Sequence, residues 1–525
     1  MTSPTLPTLL DWYSLSPVNN GVVPLIFAPD TSQIELSDAE RTSMTLLATK
    51  LLDSQYQIEL SLCGMYYAGT NIVPSLGISV PPELEPLRAT LGWCAAGVDA
   101  RSERLQVLGF RMPGQTSVSD DLQQVWQQNN FDAESRLVHD TAMVYGRAFV
   151  EVGVNDDGSP LLTTESPHNM IGAWDIRKRQ LSVAYRTYYD VDPMSPTYMK
   201  QRSVLYTPES TIQLYHDSKG WKVAERNDHQ QGFVPVRMFS HMPTIKARFG
   251  VSAMNNAWRN CQDRACRTLV RSEIASEFFA TMKIFLLGVT EENFRDGKGN
   301  LKTAWETYTG RLSALEADAN GNLPQIHEVR GESPDGFIST IDQQANIMAG
   351  LTGLPPQYLG RFSDGNPASA DAIRMSDFRL KTTADRLTEL FGNEWEAVMR
   401  MTYAVQGDPV PDGAERLETD WAYTGIPTPS ADAVTVTTQI AAGMIPPTSD
   451  DALAAVGWTP VQRQRIEDDR KRFQGTQVLT QQLAALQKQD SQPFPGAPKQ
   501  AMDGQQPKAL DNLNAKRSTD AATAG

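Results

Sequence analysis

The chain of 525 residues lacks every common signature of an enzyme active site. No H-E-x-x-H, G-x-S-x-G, G-x-G-x-x-G or G-x-x-x-x-G-K-[ST] pattern occurs, so zinc-protease, nucleophile-elbow, dinucleotide and phosphate-loop chemistry are all without their usual frame. Histidine is scarce, at six, and neither His139 nor His168 has ligand residues near it in the sequence. Acid pairs such as Asp120 with Asp121 and Asp156 with Asp157 read as helix caps and turns. The four cysteines, Cys63, Cys94, Cys261 and Cys266, have neither metal-site nor secreted-scaffold spacing, which predicts reduced, buried thiols. No long apolar run exists: the richest, from Phe278 to Val289, is broken by Lys283 and is too short to cross a bilayer. The N-terminus shows no basic region leading into an apolar core, so the expectation is a protein without a membrane, cytoplasmic until it joins something larger. Cations are outnumbered by acids, 47 to 62, and a net charge of −15 argues against a nonspecific nucleic-acid binder.

What is present is helical pattern around a central stretch, Val251 to Tyr403. Met254, Trp258, Cys261, Ala265, Leu269, Phe279, Met282 and Leu286 recur every three or four residues, which predicts one long helix stopping at Gly288. It would be roughly 50 Å long at the usual helical rise. Its other face is ionic, with Arg259, Asp263, Arg264, Arg267, Arg271, Glu273 and Glu277, and Asp263 to Arg267 reads as a helix-spaced ion pair. A second helix begins near Phe337 with Ile338, Ile341, Ala345, Ile347, Met348 and Leu351, and ends at Gly350 or Gly353. Its uncharged Gln343, Gln344 and Asn346 predict packing against protein. Leu354-Pro355-Pro356 breaks it, and a loop, Gln357 to Pro367, leads to a third helix running from about Ala368 to Tyr403 through Ile373, Phe378, Leu380, Leu387, Leu390, Trp395, Val398 and Met401.

The flanks read as mixed structure. Ser37 with Glu40 makes a capping box for a helix that turns Met44, Leu47 and Leu51 inward, and Met65 to Gly69 reads as a tight turn out of it. The segment 71–104 leads to a strand over Leu105 to Arg111. Asp121 to Tyr145 reads as one helix burying Leu122, Val125, Trp126, Phe131, Leu137 and Val144. Ala148 to Val154 is a strand, and Asn155-Asp-Asp-Gly158 a hairpin turn. Short strands follow at Leu161–Thr164, Leu181–Tyr188, Val204–Tyr206, Ile212–Tyr215 and Trp221–Ala224. Beyond Tyr403, Pro409, Pro411, Pro427 and Pro429 punctuate a linker around Trp421. Short helices are then expected at Ala431–Ala442, Ser449–Val456 and Pro460–Phe473, and a Gln-, Pro- and Gly-rich tail from Gly475 is expected to be disordered.

Several blocks carry a resemblance, among them Tyr66 to Gly69, Glu103-Arg104-Leu105 with Gly109 to Arg111, Glu165 to Pro167 and Phe233 to Val236. Gly350-Leu-Thr-Gly-Leu-Pro-Pro-Gln-Tyr-Leu-Gly360, Asn366-Pro-Ala-Ser-Ala-Asp-Ala-Ile373, Phe391-Gly-Asn-Glu-Trp395 and, upstream, Val144-Tyr-Gly-Arg-Ala-Phe-Val150 resemble the portal (head-to-tail connector) proteins of long-tailed bacteriophages. The resemblance covers roughly residues 40 to 405. It implies an α+β portal fold: an α/β wing over 1–250, stem helix one over 251–288, a clip over 289–336, stem helix two over 337–353, a tunnel loop over 354–367, a kinked helix with more wing over 368–425, a crown over 426–474 and the tail, 475–525.

It also implies a homo-oligomeric ring of about a dozen subunits at one capsid vertex. Double-stranded DNA would pass through the channel, with the terminase large subunit docking on the clip and head-completion or adaptor proteins replacing it. Major capsid and scaffolding proteins would surround the ring. The site is the virion, after assembly in the host cytoplasm. An acidic chain remains compatible with a channel through which DNA slides. On this reading Tyr358, Arg361, Phe362, Ser363, Asp364 and Asn366 meet DNA, and Trp258, Leu269, Phe279, Met282, Ile341 and Met348 pack the stem. Trp305 and Tyr308 offer the clip interface.

No cofactor or metal is expected. Asp296-Gly-Lys-Gly299 reads as a turn, and Asp318, Asn320 and Asn322 imitate a calcium loop whose glycine and bidentate glutamate positions hold Leu323 and Val329. The competing readings are a structural ring or adaptor of the virion that never touches DNA, and a hydrolase, for which no residues are found.

Overall fold

The computed structural model describes residues 26–32, 34–71, 73, 89–115, 118–155, 157–279, 283–287, 325–329, 335–360, 370–407, 409–425 and 429–446, with short pieces between 449 and 473. The chain divides into two units, Met1–Ile426 and Pro427–Gly525. In the second, helix α9 (Pro429–Ala441) begins close to the expected position.

Helices and antiparallel strands share the first unit, so the α+β class holds. Helix α1 (Asp38–Leu51) starts on the expected box: Ser37 Oγ accepts from the Glu40 amide, and a Glu40 carboxylate oxygen accepts from the Ser37 amide. Met44, Leu47 and Leu51 are fully buried. Helix α2 (Ser54–Ala68) follows at once, so Met65 to Ala68 are its last turn, and Gly69 at φ +67° supplies the left-handed cap. Helix α3 (Trp93–Ser102) and strand β1 (Val107–Arg111) come next.

The helix expected over Asp121 to Tyr145 is two, α4 (Asp120–Gln128) and α5 (Phe131–Tyr145). Asn130, at φ +57°, turns the chain between them, because an asparagine tolerates the left-handed region that a periodicity count cannot register. The rotation leaves Leu137 exposed, against expectation.

Strand β2 (Arg147–Val154) pairs with β3 (Pro160–Glu165) through the expected hairpin turn and with β9 (Val236–Ser240) on its other edge. A five-stranded antiparallel sheet holds β4 (Met170–Asp175), β5 (Gln180–Tyr189), β6 (Gln201–Tyr206), β7 (Thr211–Asp217) and β8 (Gly220–Asn227) in sequence order. Its two faces follow the period of two along β6: Leu205 packs under α1 with Ile171, Ile212 and Leu214, while Val204 and Tyr206 point to Phe149, Val236 and Met238.

The central stretch corrects the sequence reading at one end. Helix α6 (Asn256–Phe279) opens at Asn255, whose Oδ1 accepts from the Ala257 and Trp258 amides, and spans about 36 Å at the usual rise rather than 50. Leu286 belongs to strand β10 (Lys283–Leu287), paired with β11 (Gln325–Val329). The short apolar run Ile284 to Leu287 suits either period, and the distant partner strand decides it. The ionic face is also less solvated than expected. Arg259 is buried, donating to Cys63 Sγ at 2.9 Å, and Asp263 accepts from Tyr66 Oη (2.9 Å) and Asn71 Nδ2 (3.1 Å) where an ion pair with Arg267 was expected.

Helix α7 (Asp335–Thr352) packs beside α6 and stops where expected, with Gly353 at φ +75°. Gln343 and Asn346 are exposed within the single chain, as are Ile338, Ile347 and Leu351. Helix α8 (Ala370–Gln406) runs uninterrupted for 37 residues and buries Leu380, Leu387, Trp395 and Val398, but Phe378 is 66% exposed. Strand β12 (Glu418–Trp421) replaces the expected linker: too short to show a period, it is set by pairing with β1. All four cysteines are free and buried.

Candidate functional site

The helices on either side of the loop expected to matter most, α7 and α8, are contacted by Arg101, Arg104 and Arg379. At the loop's start, the last carbonyls of α7 need donors, because a helix leaves its final C=O groups without intrahelical partners. Arg101 Nη2 donates to Thr352 O at 2.7 Å, and Arg379 Nη1 donates to Gly350 O at 2.6 Å. Two cations thus sit at the negative end of the α7 dipole. Gly353 is required there: a Cβ would lie 3.0 Å from both Cγ and Cδ of Arg379, and its φ is left-handed. Thr352 Oγ1 folds back, donating to Met348 O and accepting from the Leu354 amide. Leu354 is buried before a 3-10 turn, Pro356–Leu359, and Leu359 is buried within it; the turn's Gly360 cap at φ +78° ends this described segment.

Arg101 has a second task. Its guanidinium lies 4.7 Å from the ring centre of the buried Trp258 on α6, and Gly97, one turn earlier on α3, leaves space for that ring: a Cβ would stand 2.6 Å from Trp258 Cζ3. Burial, with Arg379 nearby as the second cause, lowers Arg101 to about 10, which keeps it cationic at neutral pH.

At the far end, Arg104 clamps α8. Its Nη1 and Nη2 donate to Asp377 Oδ2 and Oδ1, each at 2.8 Å, and Nη1 also reaches Thr424 O at 2.7 Å. Both side chains are at least nine-tenths buried. Arg101 and Arg104 lie three residues apart, Arg101 near the end of α3 and Arg104 just beyond it, so one short stretch of chain contacts α7 at Thr352 and α8 at Asp377. Tyr358 (42% exposed), Met375 (75%) and Phe378 (66%) stand out near these two points.

Of the residues picked from sequence, Trp258 and Met348 are buried, and Leu269 and Ile341 half-buried. Cys261 Sγ joins α6 to α7 through Gln344 O at 3.2 Å. The Phe279 side chain, Met282, Trp305, Tyr308, Arg361, Phe362, Ser363, Asp364 and Asn366 lie outside the described residues. Sequence reasoning missed Arg101, Arg379 and the Arg104–Asp377 pair; the available hint was a pair of arginines around the end of a short helix. Among the described residues no group of three or more His, Cys, Asp or Glu side chains is placed to hold a metal, and no helix is long and apolar enough to cross a membrane.

Comparison with known proteins gives the same direction. Residues 59–450 match the family model described as phage portal protein, SPP1 Gp6-like. The portal protein of Mycobacterium phage L5 is 30% identical over 446 residues, covering 82% of this chain and 90% of that protein. The portal protein of Mycobacterium phage D29 is 30% identical over 427 residues, covering 79% and 86%. Among solved structures, a chain from the virion of a native gene transfer agent particle aligns with a TM-score of 0.42 at 16% identity, over 77% of this chain and 94% of that one.

Proposed function

The chain belongs to the SPP1 Gp6-like family of phage portal proteins, and from that premise we propose that its copies close into a ring through whose channel double-stranded DNA is packaged and ejected. As a portal protein it is a structural component of the virion at the capsid vertex. The observation that carries this is the family match over residues 59–450, most of the chain.

The finer parts rest on the arrangement of α6, α7 and α8. In our reading α6 and α7 form the stem, 289–336 the clip on which a terminase motor docks, and 354–367 a tunnel loop reaching the channel. Head-completion or adaptor proteins follow the motor, capsid and scaffolding proteins surround the ring, and subunits assemble in the host cytoplasm. The buried Arg101 and Arg104, which hold α7 and α8 on either side of the loop, support its role: a segment that touches moving DNA needs firmly held neighbours, so that its displacement does not spread into the core. Passage is passive on this account, with energy from the motor. Few cations along the way keep DNA loosely held, since each phosphate paired to Lys or Arg adds affinity that movement must break.

The test uses particles. Arg361→Glu, or deletion of residues 362–365, is expected to leave rings and procapsids intact while packaged DNA or its retention falls. Normal packaging by both would remove the loop from the mechanism and favour a ring that does not handle DNA.

A further inference from the structure

Beside the start of β2, cations gather around one aromatic ring. Arg147 opens β2, and its guanidinium carbon lies 5.4 Å from the ring centre of Tyr56 and 5.5 Å from that of Phe249. Lys50, in the last turn of α1, has its Nζ 5.5 Å from the same Phe249 centre. Lys246 and Arg248 are exposed on the loop that carries Phe249. Among the described residues none of the four forms an ion pair, and Arg147 Nε is buried without a hydrogen-bond partner. The acid that bears on the group is Glu59, an exposed α2 residue within electrostatic reach of Tyr56.

The arrangement is held firmly. His241 N donates to Gly146 O at 2.9 Å and Val251 N to His241 O at 3.0 Å, tying both ends of the 241–251 loop beside the start of β2. Gly250 makes this approach possible: its φ is +72°, and a Cβ would fall 2.3 Å from Gly146 O. Within the loop, Thr244 N donates to Ala247 O and Ala247 N to Thr244 Oγ1. Tyr56 is fixed from its far end, its hydroxyl donating to Pro167 O at 3.2 Å. Phe249 and Arg147 therefore meet on a rigid seat.

We propose that this seat is a phosphate-binding site in which Arg147 and Lys50 hold one phosphate group against the Phe249 ring, with Lys246 and Arg248 as outer cations. Two cations sharing one ring repel each other unless an anion lies between them. A guanidinium whose faces are covered by aromatic rings still offers its N–H edges, and that fork fits two oxygens of a phosphate while the ammonium takes a third. The phosphate comes from a nucleic-acid backbone or from free phosphate. In a chain of net charge −15, the site is a local exception to the surrounding field.

The experiment titrates the full chain with inorganic phosphate by calorimetry and with a labelled short DNA duplex by fluorescence anisotropy at several salt concentrations. Lys50→Gln alters an exposed residue, and an unchanged melting temperature confirms its fold; Arg147→Gln and Arg147→Lys complete the set. Phosphate affinity is expected to fall at least about tenfold in Arg147→Gln and severalfold in Lys50→Gln, with partial recovery in Arg147→Lys. If DNA is the source, the salt dependence of duplex binding drops by about one counterion for each cation removed. Phosphate binding that responds while duplex binding does not assigns the site to the free anion. The proposal is overturned if wild type and Lys50→Gln bind phosphate and duplex alike, or if a glutamate-rich peptide occupies the site more tightly than phosphate.

Discussion

Trp395 Nε1 on α8 donates a hydrogen bond to His139 Nε2 on α5 at 2.9 Å, across 256 residues of sequence, with both side chains fully buried. The acceptor nitrogen must be unprotonated, so the imidazole carries its proton on Nδ1. Phe391 stacks on the same ring with centres 5.1 Å apart and planes 3° from parallel, and Trp126, Phe131 and Phe239 crowd around Trp395. This aromatic box fastens the end of α8 that lies beyond the arginine clamp.

Removing the indole empties the box and strands the histidine. Trp395→Ala is expected to destabilise the chain by about 3–5 kcal/mol, as large-to-small changes in packed cores do. Trp395→Phe keeps most of the volume but leaves His139 Nε2 unsatisfied, for a smaller loss of about 1–3 kcal/mol. Denaturant unfolding of both variants checks the order; a Trp395→Phe loss near zero would mean that the hydrogen bond contributes nothing, and equal losses that the filled volume adds nothing to it.

Acid should find the same residue. Burial drives His139 down to about 3, against 6.5 when exposed, so its contribution to stability is complete above pH 6.5 and is lost as pH falls from there toward 3. The unfolded chain takes up a proton that the folded one refuses. The slope is about 1.4 kcal/mol per pH unit for one such group. His168 and His241, each pushed by burial to about 4, act in the same direction, while Glu165, raised by burial to about 7, opposes them as pH rises from its ordinary value. Unfolding measured from pH 6.5 to 4 is expected to be less steep in His139→Phe than in wild type by close to one proton.

The clamp on α8 offers a cleaner separation of charge from packing. Asp377→Asn leaves the buried Arg104 fork without its counterion and is expected to cost about 3–5 kcal/mol. Arg104→Met combined with Asp377→Leu removes both charges and should recover much of that loss. The double variant's melting temperature decides: if it lies below that of Asp377→Asn, the pair is stabilising beyond mutual compensation.

The Gly97 contact predicts a contrast between two glycines of the same region. Gly97→Val must displace the Trp258 ring and is expected to destabilise by about 1–3 kcal/mol through overpacking. Gly92→Ala, where a Cβ meets nothing within 4 Å, is expected to change stability little. Thermal unfolding of the two side by side tests the close packing of α3 on α6.

Sequence alone determined the elements that depend on neighbours a few positions away. Ser37 and Glu40 announce their box, Gly353 ends α7 where the pattern stops, and the turn at Asn155 to Gly158 joins β2 to β3, because caps, left-handed glycines and hairpin turns are local chemistry. The ordered blocks from Gly350 to Trp395 likewise carried the family resemblance before any coordinates. Only the tertiary structure decided what distant partners impose. Lys283–Leu287 is apolar enough for helix or strand until β11 pairs with it, Trp421 looks like linker until β1 lies beside it, and Arg259 looks like solvent-facing charge until Cys63 and Tyr66 cover it. Arg101, Arg104 and Arg147 are ordinary surface cations by sequence. Their roles come from burial against a helix end, a carboxylate and two aromatic rings contributed by segments up to 273 positions away, and the energy of a buried charge depends on those surroundings rather than on the residue itself.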